Sequence, residues 1–600
     1  MTRYLIIFLI LSSVAFRGSN TIRSEYRIEW NGIIDHPFNP GKDPVLGFVG
    51  AIYPDEGPLF PVFSKIFPVE AGFIPRFALE NPVFMKWDGD LPDTDTSGLM
   101  DKISIQVEYK RSGNELYAHL TFIPVIRKDG SVFLLDRFSL RVTEEQSVSS
   151  QAAAVNWKTS SVLASGKWAR IKTSKRGVYK IPYDKLITWG FTSPALVNVY
   201  GHGGTQLAES LDVQPVDDLQ VIRSWHGKDG SGKDCLFFYA TGNILWQWDP
   251  ATGTFRHSVN VYSTDAYYFL SQQGNSANTV QKVAEITDTP THQVVSFDEY
   301  TRYESELVNL IKSGKQWLGE AFQRNASRNF SLAVPDPVAG RPANVLINAV
   351  GRSSGASFLD VLVNGVKQTS IGFSQVNIDD ETSLYADERR RSYTVAVADN
   401  KLDFSLAYSA ANNLSNAWLD YIVVNWRRNL RLSGDELFFR DTEKINPQSI
   451  ARFQVEGADA ASRVFDVTNP AGIFEIPVSL QGNLLSFIRP AGSLREYMIF
   501  KPGGAFPEPD FAGEVANQNL HGLSVPDFLI ITHPEFLNSS EIIADYHRNN
   551  DGLSVEVVQT NQVYNEFGSG SPDATAIRNF IRMLYDRSRK LRYVMLVGDG

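Results

Sequence analysis

The stretch from residue 526 to residue 600 limits the possible folds of this chain more than any other part of it. Apolar runs at 527–532, 553–558 and 592–597 have the length and composition of buried strands, and two helical patterns separate them. Apolar strands that alternate with helices are typical of a parallel sheet covered on both faces. The sequence therefore predicts the first half of an α/β parallel-sheet domain, whose chemistry lies beyond the carboxyl ends of the strands.

The two helical patterns predict which residues face that sheet. Ile542, Ile543 and Tyr546 fall on one face of the first helix. Asp573 precedes the second pattern and is a favourable N-cap, because its carboxylate can accept hydrogen bonds from the first free backbone amides.

The rest of the chain is typical of β structure. Aromatic residues make up 12% of the sequence, and 600 residues are too many for one hydrophobic core. The predicted organisation is a signal peptide at 1–20, an N-terminal β-domain at 22–145, a linker at 146–161, a β-rich domain at 162–290, a helix plus β-sandwich domain at 291–430, a small β unit at 431–510 and the α/β segment at 515–600.

Two local patterns within the 291–430 segment are specific. Asn364-Gly365 lies between two short alternating runs and predicts a hairpin with a type I′ turn. A helix is predicted from residues that repeat at helical spacing and end at a glycine: Tyr303, Leu307, Leu310, Ile311 and Gly314.

The N-terminus has the pattern of an export signal. Arg3 supplies a positive charge, Leu5 to Phe16 is apolar, and Ser13-Val-Ala15 offers small residues for cleavage. An apolar run of about twelve residues is too short to span a bilayer, and no second run approaches 18 residues. We therefore expect an exported protein that has lost its signal peptide, carries no transmembrane helix and is associated with the cell surface or the outer membrane.

The charge argues against a nucleic-acid-binding protein, and the cysteine content excludes a fold stabilised by disulfides within the chain. The net charge is −10 and no long basic run occurs, which argues against nucleic acid as a partner. Cys235 is the single cysteine of the sequence, so an intrachain disulfide is impossible. The units must be stable through burial alone.

One pair of residues has the composition of a cysteine-peptidase dyad. His202 lies in Gly201-His-Gly-Gly204, and Cys235 follows 33 positions later. Because Cys235 begins the apolar run Cys-Leu-Phe-Phe-Tyr, burial as a small hydrophobic residue is the competing interpretation. A periplasmic enzyme that uses this pair is one functional hypothesis, and it requires that Cys235→Ala removes activity.

Metal sites have weak support, and no cofactor is predicted. The loop that begins at Asp93 starts like a calcium site, but its twelfth position is Ser104 instead of a bidentate glutamate. Structural calcium therefore has no firm basis in the sequence. Neither the acidic residues Asp88, Asp90, Asp93, Asp95 and Asp101 nor the histidines His521, His533 and His547 form a spaced ligand set.

Asp599 follows the last strand directly and lies between two glycines. A carboxylate at the carboxyl end of a strand can orient a catalytic imidazole or bind a basic substrate group. It can equally be a turn residue that accepts hydrogen bonds from nearby amides. Both interpretations stay open.

Several blocks in the chain resemble the gingipain-type cysteine peptidases. Any one block is weak, but their order and spacing from about residue 165 onward are specific. The upstream blocks are 166–170, 177–180, 237–240, 260–263, 267–270 and 313–320. The C-terminal blocks are 526–533, 546–548, 564–567, 573–578 and 593–600.

The resemblance implies an exported cysteine endopeptidase of caspase-like fold behind β-domains, and it is closest to the branch that acts as the sortase of the type IX secretion system. The implied activity is removal of the C-terminal signal domain from secreted cargo and transfer of the cargo to lipopolysaccharide. Outer-membrane components of the same secretion system are implied partners.

The resemblance also implies that the catalytic histidine and cysteine follow later strands, after Gly600. His202 and Cys235 do not occupy the matching positions, so no catalytic residue is assigned within the 600 residues. The chain alone is therefore expected to be inert and to be the N-terminal portion of a longer protein.

A binding protein without catalytic activity is the main competing hypothesis. In this reading the β-domains of a surface adhesin or assembly component bind protein or glycan, and the α/β segment is a remnant. Trp246, Trp248, Trp317 and Trp418 could stack on sugars, but each is predicted to be part of a core or partly buried.

Overall fold

The computed structural model describes residues 21–35, 44–53, 60–69, 73–89, 99–112, 115–128, 131–146, 155–272, 276–378, 380 and 383–598. The predicted signal peptide at 1–20 lies outside these residues. Within them the chain forms several β units followed by an α/β unit, which confirms the predicted fold class. No helix of the described ranges is long and apolar enough to cross a membrane.

The N-terminal unit consists of three small sheets around an aromatic-rich core. Strand β9 pairs with β1, β5 and β8, strand β7 joins β4 to β6, and β2 pairs with β3. The core contains Leu120, Phe122, Leu135 and Phe138. The strands are β1 (Thr21–Arg27), β2 (Trp30–Ile34), β3 (Val45–Phe48), β4 (Phe63–Val69), β5 (Phe73–Lys86), β6 (Gln106–Ser112), β7 (Glu115–Phe122), β8 (Val125–Lys128) and β9 (Ser131–Gln146).

The second unit packs a larger sheet against the three-stranded sheet β11–β15–β14. Ile171, Tyr179, Phe238 and Tyr268 lie in the core between them. Its elements are β10 (Trp168–Thr173), β11 (Gly177–Pro182), α1 (Tyr183–Thr188), β12 (Asn198–Tyr200), β13 (Val221–Ile222), β14 (Ser224–Lys228), β15 (Asp234–Ala240), β16 (Ile244–Asp249), β17 (Thr254–Val259) and β18 (Ala266–Ser271).

A β-sandwich follows, as predicted for this region. Its sheets are β21–β29–β24–β27, with β22 also on β29, and β23–β28–β25–β26. Asn364 and Gly365 have φ values of 50° and 80°, as a type I′ turn requires. The strands in this stretch are β19 (Gln281–Lys282), β20 (His292–Val294), β21 (Ser296–Glu304), β22 (Ala321–Gln323), β23 (Ser327–Ala333), β24 (Ala343–Arg352), β25 (Ser357–Val363), β26 (Val366–Phe373), β27 (Asp387–Val395), β28 (Lys401–Ala410) and β29 (Asn416–Asn429).

The helix predicted from Tyr303 to Gly314 is wrong. Tyr303 lies in β21, opposite Ile422 of the long strand β29. Val308 then forms an isolated antiparallel bridge with Leu318. Leu307 and Ile311 are 62% and 59% exposed, so their helical spacing does not mark a buried face. Pairing along β29 outweighs the local helical pattern.

The third unit encloses an aromatic core between two sheets, β19–β33–β32–β36–β30 and β20–β31–β35–β34. Strands β19 and β20 precede the sandwich in sequence, so the predicted boundaries at 290 and 431 do not separate consecutive folding units. Its later strands are β30 (Glu436–Phe439), β31 (Ile450–Glu456), β32 (Arg463–Asp466), β33 (Phe474–Ile476), β34 (Ser479–Gln481), β35 (Leu484–Pro490) and β36 (Tyr497–Phe500), and the chain continues into β37 (Asp510–Val515).

Strand β37 returns to the second unit, where it pairs with β10 in the sheet β13–β12–β18–β10–β37. The second unit is therefore completed by residues that follow the third unit in sequence.

The α/β unit contains the predicted parallel sheet, in the order β39–β38–β40. Helix α2 packs on one face and helices α3 and α4 pack on the other. Helix α3 has no counterpart in the sequence prediction. The elements are β38 (Phe528–Thr532), α2 (Leu537–Asn550), β39 (Val555–Gln559), α3 (Thr560–Phe567), α4 (Ala574–Arg587) and β40 (Tyr593–Val597).

Helix α2 presents a different face to the sheet from the one predicted. Ala544 is buried and Ile543 is partly buried against β38 and β39, whereas Ile542 and Tyr546 are 72% and 60% exposed. The prediction for Asp573 is confirmed, because its Oδ1 accepts the amide hydrogen of Thr575 at 2.7 Å at the start of α4.

Part of the predicted linker at 146–161 is packed. Trp157 lies in the core formed by α3 and α4, and its indole Nε1 donates to Asp586 at 3.1 Å. Residues 147–154 lie outside the described residues. The polar composition of this stretch predicted a linker, although its one tryptophan, Trp157, anchors it to the α/β unit.

The β16–β17 hairpin of the second unit packs against the sandwich. Strands β16 and β17 pair only with each other in the described sheets, and Trp246 of β16 stacks on Tyr300 of β21 with ring centroids 4.0 Å apart. The side chain of Asn425 accepts from the Phe255 amide at 2.7 Å and donates to the Phe255 carbonyl at 3.1 Å. A side-chain amide thus pairs with a backbone in the manner of a neighbouring strand.

A buried ionic cluster joins the sandwich to the third unit. Arg427 of β29 forms ion pairs with Asp441 at 2.8 Å and Asp298 at 3.1 Å. It also donates to the carbonyl and hydroxyl oxygens of Ser296. The side chains of Arg427 and Asp441 are each 9% exposed, so this charge cluster is largely shielded from water.

Candidate functional site at the carboxyl edge of the parallel sheet

The carboxyl ends of β39, β38 and β40 lie side by side at one edge of the α/β unit. Thr532 pairs with both Gln559 and Val597, which brings the three strand ends into register. In parallel sheets covered on both faces, ligands bind at this edge. It is therefore the candidate site of the α/β unit.

The end of the central strand is held rigidly. The Thr532 side chain is buried, accepts from the Ser540 hydroxyl at 2.9 Å and donates to the His533 carbonyl at 3.1 Å. The His533 amide donates to the Val597 carbonyl at 3.0 Å. These bonds fix the backbone where it leaves the sheet.

His533 is an exposed imidazole at this edge. Its Nδ1 accepts the Glu535 amide at 3.3 Å, so the Nε2 atom carries the proton in the neutral ring. An Nε2 donor facing solvent can hydrogen-bond a carbonyl or carboxylate of a bound substrate. The sequence pattern did not indicate this position of His533, which had been considered only as a metal ligand.

The second unit contacts the α/β unit through the turn between α3 and α4. Ser569 has φ of 50°, accepts from the His202 amide at 3.3 Å and donates to the Tyr267 carbonyl at 3.1 Å. A Cβ added at Gly570 would lie 3.1 Å from the Cβ of Tyr267, so the two units approach closely here. This contact accounts for the Gly-His-Gly-Gly motif as part of a unit interface.

His202 and Cys235 do not form a dyad. Gly203 lies beside Thr241, which directly follows β15, whereas Cys235 is at the opposite end of that strand. Six residues of extended strand span about 20 Å. The sequence-based hypothesis of a catalytic pair is therefore wrong on geometry.

The protonation states of these two residues also oppose catalysis. Burial lowers the pKa of His202 to about 4, so the ring is neutral at pH 7. Burial also raises the pKa of the Cys235 thiol to about 11. A nucleophilic cysteine requires the opposite shift and access to solvent.

We expect Cys235 to be unreactive in the folded protein at pH 7.5, because its thiol is buried and protonated. Labelling with 5,5′-dithiobis(2-nitrobenzoate) should proceed at least ~100-fold more slowly than in 6 M guanidinium chloride. Cys235→Ala should remove labelling under both conditions. Rapid labelling of the folded protein at Cys235 would contradict this assignment.

The other predicted site residues lie apart or outside the described residues. Asp599, Asp90, Asp93 and Asp95 are outside them, so the functional interpretation of Asp599 and the calcium loop stay predictions. Asp88 and Asp101 are exposed. Trp317 is 46% exposed, contrary to its predicted burial, whereas Trp246, Trp248 and Trp418 are partly buried.

The three histidines near the α/β unit occupy different places. His533 is at the carboxyl edge, and His547 of α2 forms a 2.6 Å contact with Asp551 of the same chain segment. His521 is fully buried between Asp217 and Glu566. The sequence could not reveal this last cluster, because Asp217 precedes His521 by 304 residues.

Comparison with known proteins supports a likeness to a peptidase. Residues 521–600 match the model of Peptidase family C25. The structure is similar to the crystal structure of dimeric latent PorU from Porphyromonas gingivalis, with 27% identity and a TM-score of 0.65 over 73% of this chain and 42% of that chain. The chain thus spans less than half the length of that protein. Curated protein sequences give no match.

Two further solved structures overlap with parts of the chain. The complex of Porphyromonas gingivalis RgpB pro- and mature domains has 10% identity and a TM-score of 0.17, over 22% of this chain and 84% of that chain. The carbohydrate-binding module CBM36 in complex with calcium and xylotriose has 16% identity and a TM-score of 0.14, over 21% and 98%. Neither overlap contributes to the functional argument.

Proposed function

We propose that the protein containing this chain is an exported cysteine endopeptidase that acts as the sortase of a type IX secretion system. It removes the C-terminal signal domain of secreted cargo and transfers the cargo to cell-surface lipopolysaccharide. The observation that carries the proposal is the likeness to PorU over 73% of the chain. The match of residues 521–600 to Peptidase family C25 supports it independently.

The chemistry is a two-step acyl transfer. A thiolate attacks the scissile carbonyl, a thioester forms, and the peptide bond breaks as the signal domain leaves with a protonated amine. An amine of the lipopolysaccharide then attacks the thioester, forms an amide and releases the thiolate. Backbone amides at the sheet edge stabilise the oxyanion in both steps.

The described residues would position the substrate and the later strands, and they would not supply the nucleophile. Cys235 is remote from the sheet edge, so the catalytic histidine and cysteine would belong to strands that follow Gly600. Such strands would pack beside β40, where Val594 and Leu596 are 41% and 63% exposed. His533 would lie within reach of the substrate at the same edge. Residues 1–600 alone would then be inactive.

The β units would hold the peptidase unit at the cell surface and contact outer-membrane components of the secretion system. The shared strands and ionic clusters between units favour such a scaffold, because they keep the units in fixed positions. Cargo proteins with a C-terminal signal domain and the lipopolysaccharide acceptor would be the substrates.

The test uses the full-length protein and a purified cargo that carries its C-terminal signal domain. We expect cleavage, complete loss of cleavage after alkylation with iodoacetamide, and a modified cysteine located after residue 600 by peptide mass spectrometry. The Cys235→Ala variant is the matched control and should cleave at the wild-type rate. Residues 1–600 should not cleave the cargo.

Several outcomes would overturn the proposal. Cleavage that survives alkylation would remove the cysteine mechanism, and modification of Cys235 with loss of activity would restore the rejected dyad. Cleavage without transfer to an added amine or to lipopolysaccharide would leave a peptidase and remove the sortase role.

A further inference from the structure

Residues 205–218 form a strap that crosses from the second unit onto the α/β unit. The strap connects β12 to β13 and contains no strand or helix. Its first part is anchored on α4: the Leu207 amide donates to Asp573 Oδ2 at 3.1 Å, and Arg578 donates to the carbonyls of Ala208 and Glu209. The Leu207 side chain packs against the core under α4.

The last part of the strap ends in a buried ionic contact. Asp217 Oδ1 lies 2.7 Å from Nε2 of His521, and Glu566 Oε2 of α3 lies 2.6 Å from Nδ1 of the same ring. The side chains of His521 and Glu566 are both 0% exposed. His521 therefore links the strap to helix α3.

Both ring nitrogens of His521 face a carboxylate oxygen, and carboxylates accept hydrogen bonds. The ring must donate from both nitrogens to satisfy them, which requires the imidazolium form. Burial alone would lower the pKa of His521, but hydrogen bonds to Asp217 and Glu566 outweigh it and raise the pKa to about 9. The ring of Phe567 stacks on the imidazolium at 4.6 Å.

Other charged groups surround the ring. Asp218 accepts from the Ser161 hydroxyl and the Val162 amide, and its carboxylate lies 3.7 Å from Lys158 Nζ. Arg587 of α4 donates to the carbonyls of His521 and Lys158. The cluster thus joins the strap, the 155–161 segment, α3 and α4.

Asp218, His521 and Glu566 bring ligand atoms within 4.8 Å of one another, which raises the question of a metal ion. Glu566 already accepts four hydrogen bonds, from Gln518 Nε2, the Leu520 amide, the His521 amide and His521 Nδ1. Both ring nitrogens of His521 are also engaged. The positive charge between the carboxylates is therefore supplied by the imidazolium instead of a metal ion.

We propose that the strap and the His521 imidazolium form a charge lock that holds the α/β unit against the second unit, and that loss of the imidazolium charge opens it. This inference rests on the contacts between the two units and does not depend on the proposed enzymatic function.

The pH dependence follows from the raised pKa of His521. The stabilising charge is fully present below 6.5 and is lost as the pH rises through about 9. If the released ring returns to a pKa of 6.5, the docking equilibrium weakens by up to about 300-fold well above pH 9. Asp217 has a lowered pKa and stays charged down to acid pH, so the lock persists through the neutral range.

The test measures hydrogen–deuterium exchange of the strap and of α3 in the full-length protein at pH 7 and pH 10, with exchange corrected for intrinsic rates. We expect His521→Gln to increase exchange at 205–218 by at least ~10-fold at pH 7, and the wild type to reach the same state at pH 10. His547→Gln, which removes the exposed His547–Asp551 pair, is the matched control and should leave the strap protected.

A second variant keeps the test decisive if His521→Gln does not fold. Glu566→Gln retains one hydrogen-bond acceptor and removes one charge. The comparison of wild-type exchange at pH 7 and pH 10 needs no variant. Protection of the strap in the wild type at pH 10 would overturn the proposal. A stoichiometric metal in the purified protein, with strap opening on addition of EDTA, would replace the charge lock by a metal site.

Discussion

Replacing Arg427 with methionine is expected to destabilise the junction of the sandwich and the third unit by about 3–5 kcal/mol at pH 7. The substitution keeps much of the apolar stem but leaves Asp298 and Asp441 facing each other with no guanidinium between them. These carboxylates are 17% and 9% exposed and lie at ion-pair distance from Arg427 in the native protein. Breaking a buried pair is costly because the remaining charge stays desolvated.

The effect should depend on pH in a definite direction. In the variant, burial and the nearby Asp298 charge raise the pKa of Asp441 without opposition from Arg427. The penalty is therefore present at neutral pH and shrinks as the pH falls through the raised pKa of Asp441. In the wild type, Arg427 opposes the rise in the pKa of Asp441 that burial causes.

Differential scanning calorimetry at pH 7 and pH 5 measures both effects. Arg431→Met is the matched control, because Arg431 pairs with Glu456 at 2.9 Å while both side chains are 55% exposed. An exposed pair of this kind contributes at most about 1 kcal/mol. Equal shifts in melting temperature for the two variants would show that the Arg427 cluster is not a buried ionic junction.

Replacing Phe439 with alanine is expected to destabilise the third unit by about 3–5 kcal/mol. Phe439 is 0% exposed and lies at the centre of an aromatic cluster. Its ring centroid is 5.6 Å from that of Tyr497, 6.0 Å from that of Phe453 and 6.3 Å from that of Phe297. The loss combines the transfer free energy of the ring with the cavity left behind.

Urea denaturation followed by hydrogen–deuterium exchange of 431–500 measures the change and assigns it to this unit. Phe358→Ala is the control, since Phe358 is 47% exposed and should lose less than about 1 kcal/mol. Because Phe297 comes from β21, the loosening should extend to the start of the sandwich. A Phe439→Ala variant as stable as the control would mean that the cluster repacks without a cavity.

The α/β unit and the hairpin turn of the sandwich were predictable because their signals are local. Three apolar strands, the Asp573 cap and the Asn364-Gly365 turn each depend on residues a few positions apart, and the structure contains all of them. The helix at 303–314 failed for the opposite reason. Pairing of Tyr303 with β29, more than a hundred residues later, decided the conformation against the local pattern.

The site was less predictable than the fold. The sequence predicted a site at the carboxyl edge of the sheet, and this location stays a prediction. His533 was considered as a metal ligand and not as part of that edge. The His202 and Cys235 motif resembled a dyad by composition, whereas β15 separates its members by the length of a strand. The His521 lock joins residues 304 positions apart, and no spacing rule could have revealed it.

The pairing of β37 with β10 has a consequence for how the protein reaches its folded state. Lys167, directly before β10, forms an ion pair with Glu514 of β37, and the two residues are 347 positions apart in sequence. Contacts of such long range form late, because a large loop must close first. During synthesis, the edge of β10 therefore stays open until residue 515 has emerged. Chaperones that bind open strand edges would have their longest opportunity on this sheet, and truncations before residue 510 would leave that edge permanently unpaired.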